Sequence, residues 1–320
     1  MLKVCLAGTY PAGTLEKFRS ALDPDLFFVT SADTQEAFDA VTDPDVVVLR
    51  ILKMPAPAFE RFTNLKMVMR WGVGFDSVDI EEAGRRGVTV CNTPGANAYA
   101  VAELAVALMI NVGRHVFGYY DNIHEGNWDR EFFKPNPSLN GKTVGIIGGG
   151  NIGRMVAKRV QAFGAKTVYY DMFRLPEETE KEYGLQFTEP DELLKKSDIV
   201  SLHIPLTDQT RHFIDVDRIA LMKKNGILIN TARGGLIDEE SLLEALNKGQ
   251  LLGAGLDCVE QEDSEVTAKL KSLSNVIITP HIGGSASDLG TAIIPMILEN
   301  LKLLQSGAGV KYIVNSQYLS

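Results

Sequence analysis

Short apolar, β-branched runs alternate with amphipathic stretches along almost the whole chain, and this rhythm constrains the fold more than any other feature. Runs at 3–7, 26–30, 45–49, 66–70 and 88–91 predict strands. The stretches between them, near 14–22, 33–41, 56–63 and 79–86, carry apolar residues at helical spacing. Such alternation predicts a parallel sheet covered by helices. A second series follows, with strands predicted near 143–148, 166–171, 198–202, 226–230, 252–257 and 276–279. Between the two series, Ala98 to Tyr120 predicts one long apolar helix, and Gly126 to Asn140 a polar, proline-punctuated connection. Another long apolar helix, about 286–305, closes the pattern. Two long helices bracketing the second series imply that the chain leaves one domain, builds another and returns. The expected division is 1–96 with 287–320 for a discontinuous first domain and 97–286 for an inserted second one.

Length agrees with this, since 320 residues at roughly 150 per domain make about two domains. An apolar fraction of 45% with 23% charged residues excludes disordered and collagen-like designs. The 32 basic and 41 acidic residues leave a formal charge of −9, which repels nucleic acid and anionic lipid. No basic patch overrides it, because Lys195-Lys196 and Lys223-Lys224 are isolated pairs beside helical segments. The expected partner is a small molecule rather than nucleic acid or membrane. Cys5, Cys91 and Cys258 lie far apart with one necessarily left over, which argues against a disulfide framework. The apolar run after Lys3 stops at Gly8, too short for a secretory signal, and Glu103 and Asn111 interrupt the most apolar segment. A reducing cytoplasm is the expected compartment.

The sharpest local motif runs from Thr143 to Arg154, where Gly148, Gly150 and Gly153 fall in G-x-G-x-x-G spacing. Alone that spacing is weak in a chain with 29 glycines. Here an apolar strand precedes it, a helical stretch follows, and the next strand ends in Asp171. In such a unit the first glycine permits a tight turn, the second lets backbone approach a pyrophosphate, and the third allows close helix packing. The helix N-terminus offers N–H groups and a positive dipole end to the phosphates. Asp171 is placed to bind the adenosine ribose hydroxyls and to repel a 2′-phosphate, which favours NAD over NADP. Arg174 stands close enough in sequence to leave NADP tolerance open. The plain alternative is a ligand-free glycine turn.

Among five histidines none forms a metal-ligand motif, so no metal is expected. His281 directly follows an apolar strand, in Thr279-Pro280-His281-Ile282-Gly283-Gly284. Ligands in open parallel sheets bind at strand carboxyl ends. Two further strands end near polar candidates, one leading into Thr231-Ala232-Arg233-Gly234-Gly235 and one through Asp257 towards Glu262. Three strands would thus aim an arginine, an acid and an imidazole at one crevice. Taken singly, each has a duller reading: a loop ion pair, one acid of the run Glu260 to Glu265, a turn-capping ring.

With these residues in view, the chain resembles the D-isomer-specific 2-hydroxyacid dehydrogenases over nearly its whole length. The resemblance is carried by Arg70 to Asp79, Asn92 to Asn97 with Ala102-Glu103-Leu104, Gly148 to Gly153, His203 to Thr207, Thr231 to Asp238 and Thr279 to Gly284. It implies an α/β fold of two doubly wound parallel-sheet domains, a Rossmann NAD-binding domain inserted into a discontinuous flavodoxin-like substrate domain, and a homodimer formed around the long crossover helix. It also implies Arg233, Glu262 and His281 as the catalytic set. The cofactor residues it implies are Gly148, Gly150, Asn151, Ile152, Gly153, Asp171, His203, Pro205, Thr231, Ala232, Asp257 and Gly283. Val73 and Gly74 match the loop whose N–H groups hold the substrate carboxylate, and Arg50 and Arg70 match positions that face a substrate phosphate or make structural ion pairs. Two departures stand out: Asp263 replaces the proline common after the catalytic acid, leaving Glu260 as a fallback, and Trp71 is bulkier than usual, which would narrow the pocket.

The reaction so implied is hydride transfer between nicotinamide and C2 of a small D-2-hydroxy or 2-oxo acid, with the cofactor supplying the difficult chemistry. His281 would move the proton of the reacting oxygen, and Glu262, bonded to the other ring nitrogen, would raise the imidazole pKa above its reference of about 6.5. Arg233 would pair with the substrate carboxylate through its fork of donors. Domain closure over the ligands is expected. Candidate substrates include 3-phosphoglycerate, as in phosphoglycerate dehydrogenase-like members, glyoxylate, hydroxypyruvate and D-lactate-like acids. Of these, 3-phosphoglycerate is the expected substrate on account of Arg50 and Arg70; the alternatives are a glyoxylate/hydroxypyruvate reductase and a non-metabolic NADH-sensing interaction protein of the same fold.

Overall fold

A computed structural model describes residues 1–129 and 135–319. Arg130 to Lys134, within the connection expected over 126–140, lie outside the described residues. The chain forms two compact units, Met1–Asn97 with Ala286–Ser320, and Ala98–Ser285.

The discontinuous unit contains β1 (Leu2–Ala7), β2 (Phe27–Ala32), β3 (Val46–Leu49), β4 (Met67–Arg70) and β5 (Thr89–Cys91). They form one parallel sheet in the order β2-β1-β3-β4-β5, the flavodoxin-like arrangement, with its reversal between β1 and β3. All four residues of β3 are buried, as a strand covered on both faces requires. Phe38, Phe59, Val68 and Val90 share one core with Val47 and Leu49 of that strand. The chain comes back through the helix Gly290–Ser306, and its tail then covers the free edge of β5. Asn315 secures that edge: its Oδ1 accepts from the Val90 N–H at 2.8 Å and its Nδ2 donates to the Val88 carbonyl at 2.9 Å.

The inserted unit contains β6 (Thr143–Ile147), β7 (Lys166–Tyr170), β8 (Gln186–Phe187), β9 (Ile199–Leu202), β10 (Gly226–Asn230), β11 (Leu251–Leu256) and β12 (Val276–Ile278). Its parallel sheet runs β12-β11-β10-β9-β6-β7-β8, so the unit's first strand lies inside and the order reverses between β6 and β9. This is the Rossmann order with one further strand. One face packs under the helices Ala98–Arg114 and Asn151–Ala162, through Ala102, Ala105, Met109, Val156 and Ala157. The other face carries Leu193, Ile219, Leu242 and Leu270.

The fold is the doubly wound pair that the strand rhythm predicts, with local differences. β8 is a two-residue edge strand that the apolar pattern does not announce. The helix expected over 98–120 is broken: His115 takes a left-handed φ of 49°, its Nε2 meets the Pro135 carbonyl at 3.1 Å, and the following helix Val116–His124 bends away by 58°. The last helix begins at Gly290 rather than 286. Among the described residues no single helix is long and apolar enough to cross a membrane.

Because Asn315 is wholly buried, Asn315→Ala leaves backbone groups of β5 dry and unpaired. Each such group costs about 1–3 kcal/mol. Urea denaturation should show a loss of about 2 kcal/mol or more; an unchanged midpoint would mean the tail contributes nothing to the first unit.

Candidate active site

The glycine motif occupies the turn from β6 into the helix Asn151–Ala162, next to the order reversal of the sheet. Gly148 takes φ 109°, and a Cβ there would lie 2.6 Å from the His203 carbonyl oxygen. A Cβ on Gly153 would sit 2.0 Å from the Gly148 oxygen, so helix and turn touch only because that side chain is missing. At Gly150 an added Cβ meets nothing within 4 Å. This is open backbone, and no side chain caps the helix, whose first residues are Asn151 and Ile152. First-turn N–H groups without a capping side chain, beside a bare glycine, suit a diphosphate.

Asp171 follows β7 and faces this turn: its Oδ2 accepts from the Gly149 N–H at 2.7 Å and its Oδ1 from the Phe173 N–H at 3.2 Å. The carboxylate that would bind a ribose is thereby tied to the turn that would bind the phosphates. Arg174 is engaged elsewhere, its Nε and Nη2 meeting the two oxygens of Glu180 at 2.9 and 3.0 Å.

Two unsatisfied atoms lie at neighbouring strand ends. Thr231 Oγ1, just after β10, and His203 Nδ1, just after β9, are buried with no hydrogen-bond partner among the described residues. The His203 Nε2 is 2.9 Å from Ser201 Oγ, and burial lowers the ring's pKa to about 3, so it stays neutral. Pro205 follows on the exposed surface. Unpaired buried polar atoms are costly unless a partner arrives. Together with the open glycine turn they fit a polar cofactor laid along the strand ends.

The candidate catalytic residues occupy the ends of adjacent strands β10, β11 and β12. After β10, Asn230 shapes the turn by donating from Nδ2 to the Arg233 carbonyl at 2.8 Å and accepting from the Ala232 N–H at 3.0 Å. The Arg233 Nη1 donates to the Ala232 carbonyl. A Cβ on Gly234 would fall 2.0 Å from the Val259 carbonyl carbon and 2.3 Å from the Glu260 nitrogen. The loop bearing Arg233 and the loop leading to Glu262 therefore meet backbone to backbone.

Asp257, only 2% exposed, ties the end of β11 to the segment carrying His281. Its carboxylate accepts from Thr279 Oγ1 at 2.6 Å and from the N–H groups of Ile282 at 2.9 Å and Gly283 at 2.8 Å. Its carbonyl accepts from the His281 N–H at 2.9 Å. His281 itself takes φ 55° and its side chain is exposed. Such a backbone is uncommon for a residue with a Cβ, and it is held here by bonds on both sides.

The expected hydrogen bond between Glu262 and His281 is not formed. Glu262 is exposed, and among the described residues only its carbonyl is bonded, to Lys271 Nζ at 3.3 Å. The loop is fixed through Glu260 and Gln261, whose N–H and carbonyl bond Glu239 Oε1 and Thr267 Oγ1. The Glu260 carboxylate, the fallback acid, is occupied by Arg211 and by His212 Nε2 at 3.1 Å.

In the discontinuous unit, Val73 and Gly74 lie on the loop after β4. Gly72 begins that loop at φ 137°, a backbone only glycine adopts freely. Thr93 and Asn92 pin it, through the bonds Gly72 N–H to Thr93 Oγ1 at 3.0 Å and Asn92 Nδ2 to the Val73 carbonyl at 2.8 Å. Arg70 supports it too, donating from Nε to the Gly74 carbonyl at 3.0 Å and from Nη1 to the Leu49 carbonyl at 2.8 Å. Arg50 donates to the Thr9 carbonyl. Trp71 is buried edge-on against Tyr10, ring centres 5.0 Å apart.

Sequence reasoning missed Ser201 and Glu180. Ser201 had a signal, a lone hydroxyl inside the apolar strand Ile199–Leu202. Glu180 had none, being one acid in a helix rich in them.

The profile of the family described as "D-isomer specific 2-hydroxyacid dehydrogenase, NAD binding domain" matches residues 106–283. A hydroxypyruvate reductase of Thermotoga maritima is 42% identical over 276 residues, covering 84% of this chain and 89% of that protein. A D-3-phosphoglycerate dehydrogenase of Methanocaldococcus jannaschii is 40% identical over 288 residues, covering 89% of this chain but 54% of that longer protein. Among solved structures, a D-lactate dehydrogenase of Aquifex aeolicus complexed with NAD and lactic acid superimposes with a TM-score of 0.84 at 28% identity, covering 98% of this chain and 99% of the other.

Asp257→Asn places an amide N–H₂ where backbone N–H groups now donate, so at least one of three bonds is lost. The expected cost is about 2 kcal/mol of stability, with faster hydrogen exchange at Ile282 and Gly283. Unaltered exchange at those amides would show that the carboxylate does not hold the segment.

Proposed function

Since the chain belongs to the D-isomer specific 2-hydroxyacid dehydrogenase family, NAD-dependent enzymes acting on CH–OH groups, we propose that its substrate pair is a short, unphosphorylated 2-hydroxy acid and its 2-oxo acid, of the glyoxylate and hydroxypyruvate kind. The observation that carries the site is the succession of Arg233, Glu262 and His281 after three adjacent strands, beside an open glycine turn with unpaired polar atoms. The substrate class rests on Arg70, which directs one nitrogen to the Gly74 carbonyl of the Val73-Gly74 loop and another to the Leu49 carbonyl at the end of β3. That supports a structural task for this arginine over a phosphate-binding one. The similarity to a hydroxypyruvate reductase over most of both chains points the same way.

When bound, the nicotinamide provides the carbon that gives or takes the hydride. Arg233 pairs with the substrate carboxylate and draws electron density from the reacting carbonyl. His281 gives its ring proton to the carbonyl oxygen in reduction and takes it back in oxidation. Glu262 orients the imidazole once its exposed side chain turns towards the ring. Asp257, with three of roughly four acceptor positions filled, keeps one for the carboxamide of the cofactor. Asp171 makes NAD the preferred dinucleotide. The three cysteines are unpaired, in keeping with a cytoplasmic enzyme.

Assays with NADH against glyoxylate, hydroxypyruvate, pyruvate and phosphohydroxypyruvate test this reading. Turnover is expected with the first two, and a clear preference for the phosphorylated acid would overturn the substrate assignment. NADH binding without turnover of any oxo acid would favour a sensor. His281→Ala should lower kcat by about 10²–10⁴-fold while NADH affinity holds, and undiminished turnover would remove His281 from the chemistry.

We also infer a homodimer. Val116, Phe117, Tyr120 and Ile123 project from the helix Val116–His124 and are all exposed. Apolar side chains clustered in this way on a surface mark a contact face. Sedimentation velocity should find a dimer that Phe117→Asp/Tyr120→Asp converts to monomer; a wild-type monomer at micromolar concentration would contradict the assignment.

A further inference from the structure

We propose that Glu180 helps set cofactor choice: by holding Arg174 in a two-pronged pair it withholds from a 2′-phosphate the guanidinium of the turn that follows Asp171. The inference rests on the proposed dinucleotide site and adds a residue to its specificity.

The pair is built as a clamp. Arg174 Nε and Nη2 meet Glu180 Oε1 and Oε2 at 2.9 and 3.0 Å. Glu180 is 8% exposed, and its Oε1 also accepts from the Tyr169 hydroxyl at 2.7 Å. That hydroxyl in turn accepts from the Leu175 N–H at 2.9 Å, so the backbone beside Arg174 belongs to the same network. The guanidinium lies over the Phe187 ring, 5.4 Å from its centre. These partners pull the Glu180 carboxyl down to about 2, while burial and Glu180 push Tyr169 up to about 12. The carboxylate remains charged throughout the physiological range, so the charge that holds Arg174 is always present.

Arginine presents five N–H donors in a planar fork, and its side-on pair, Nε with Nη2, suits a carboxylate or a phosphate but serves only one of them at a time. With Nε and Nη2 given to Glu180, a 2′-phosphate beside Asp171 would meet a carboxylate and a guanidinium whose side-on pair is taken and whose position Glu180 fixes. Discrimination then has two parts, repulsion by Asp171 and removal of Arg174. Only the first is visible in the sequence.

The test measures the Kd of NADH and NADPH by calorimetry on the full chain. Glu180→Gln keeps the shape and an acceptor for Tyr169 but removes the charge that competes for the fork. NADPH should bind about tenfold more tightly, the equivalent of about 1.4 kcal/mol, with NADH within about twofold. Adding Arg174→Ala should cancel the gain. An unchanged NADPH to NADH ratio in Glu180→Gln, or a gain that persists without Arg174, would overturn the proposal. Should Glu180→Gln not fold, Arg174→Ala alone decides. It should leave NADPH affinity as in the wild type, and a weakening would show that Arg174 already reaches the 2′ position. Wild-type protein that binds neither dinucleotide would overturn the NAD reading as well, whereas NADH binding with an unresponsive ratio would overturn this inference alone.

Discussion

One buried carboxylate, that of Asp257, holds the end of β11 to the segment after β12, and the candidate chemistry depends on that tie. A parallel sheet brings all its strand ends to one edge, but that edge is wide. Two close contacts narrow it. Gly234 lets the turn after β10 touch the loop after β11, and Asp257 gathers the turn after β12 with three donors. A carboxylate this deeply buried is tolerable because three donors compensate it, so the segment cannot drift without leaving a charge uncompensated. The left-handed backbone of His281 follows from the same restraint.

Much of the fold was legible because strands buried on both faces read as unbroken apolar runs, as Val46–Leu49 shows. What escaped was structure set by single residues. His115 breaks a helix whose apolar pattern continues on either side of it, and periodicity does not register one left-handed residue. Gln186 and Phe187 form an edge strand too short to have a period.

The site divides in the same way. The glycine turn and its partner Asp171 are encoded by local spacing, and the structure shows the physical reason, since a Cβ at Gly148 or Gly153 would strike backbone. The Arg174–Glu180 clamp is invisible in the sequence because it depends on how one turn of chain folds back against Tyr169. Glu262 shows the converse. It stands where counting from Asp257 places it, yet it is exposed and makes no bond to His281, while the loop is held through its neighbours Glu260 and Gln261.

If the strand ends form one catalytic site, Arg233 and His281 must act on the same transition state. A double-mutant cycle on kcat/KM for hydroxypyruvate, with Arg233→Gln, His281→Asn and the pair, measures this directly. The expected result is strong non-additivity, the double variant being scarcely slower than the slower single one. Losses that multiply in full would show two groups working independently, and would contradict the convergence on which this account stands.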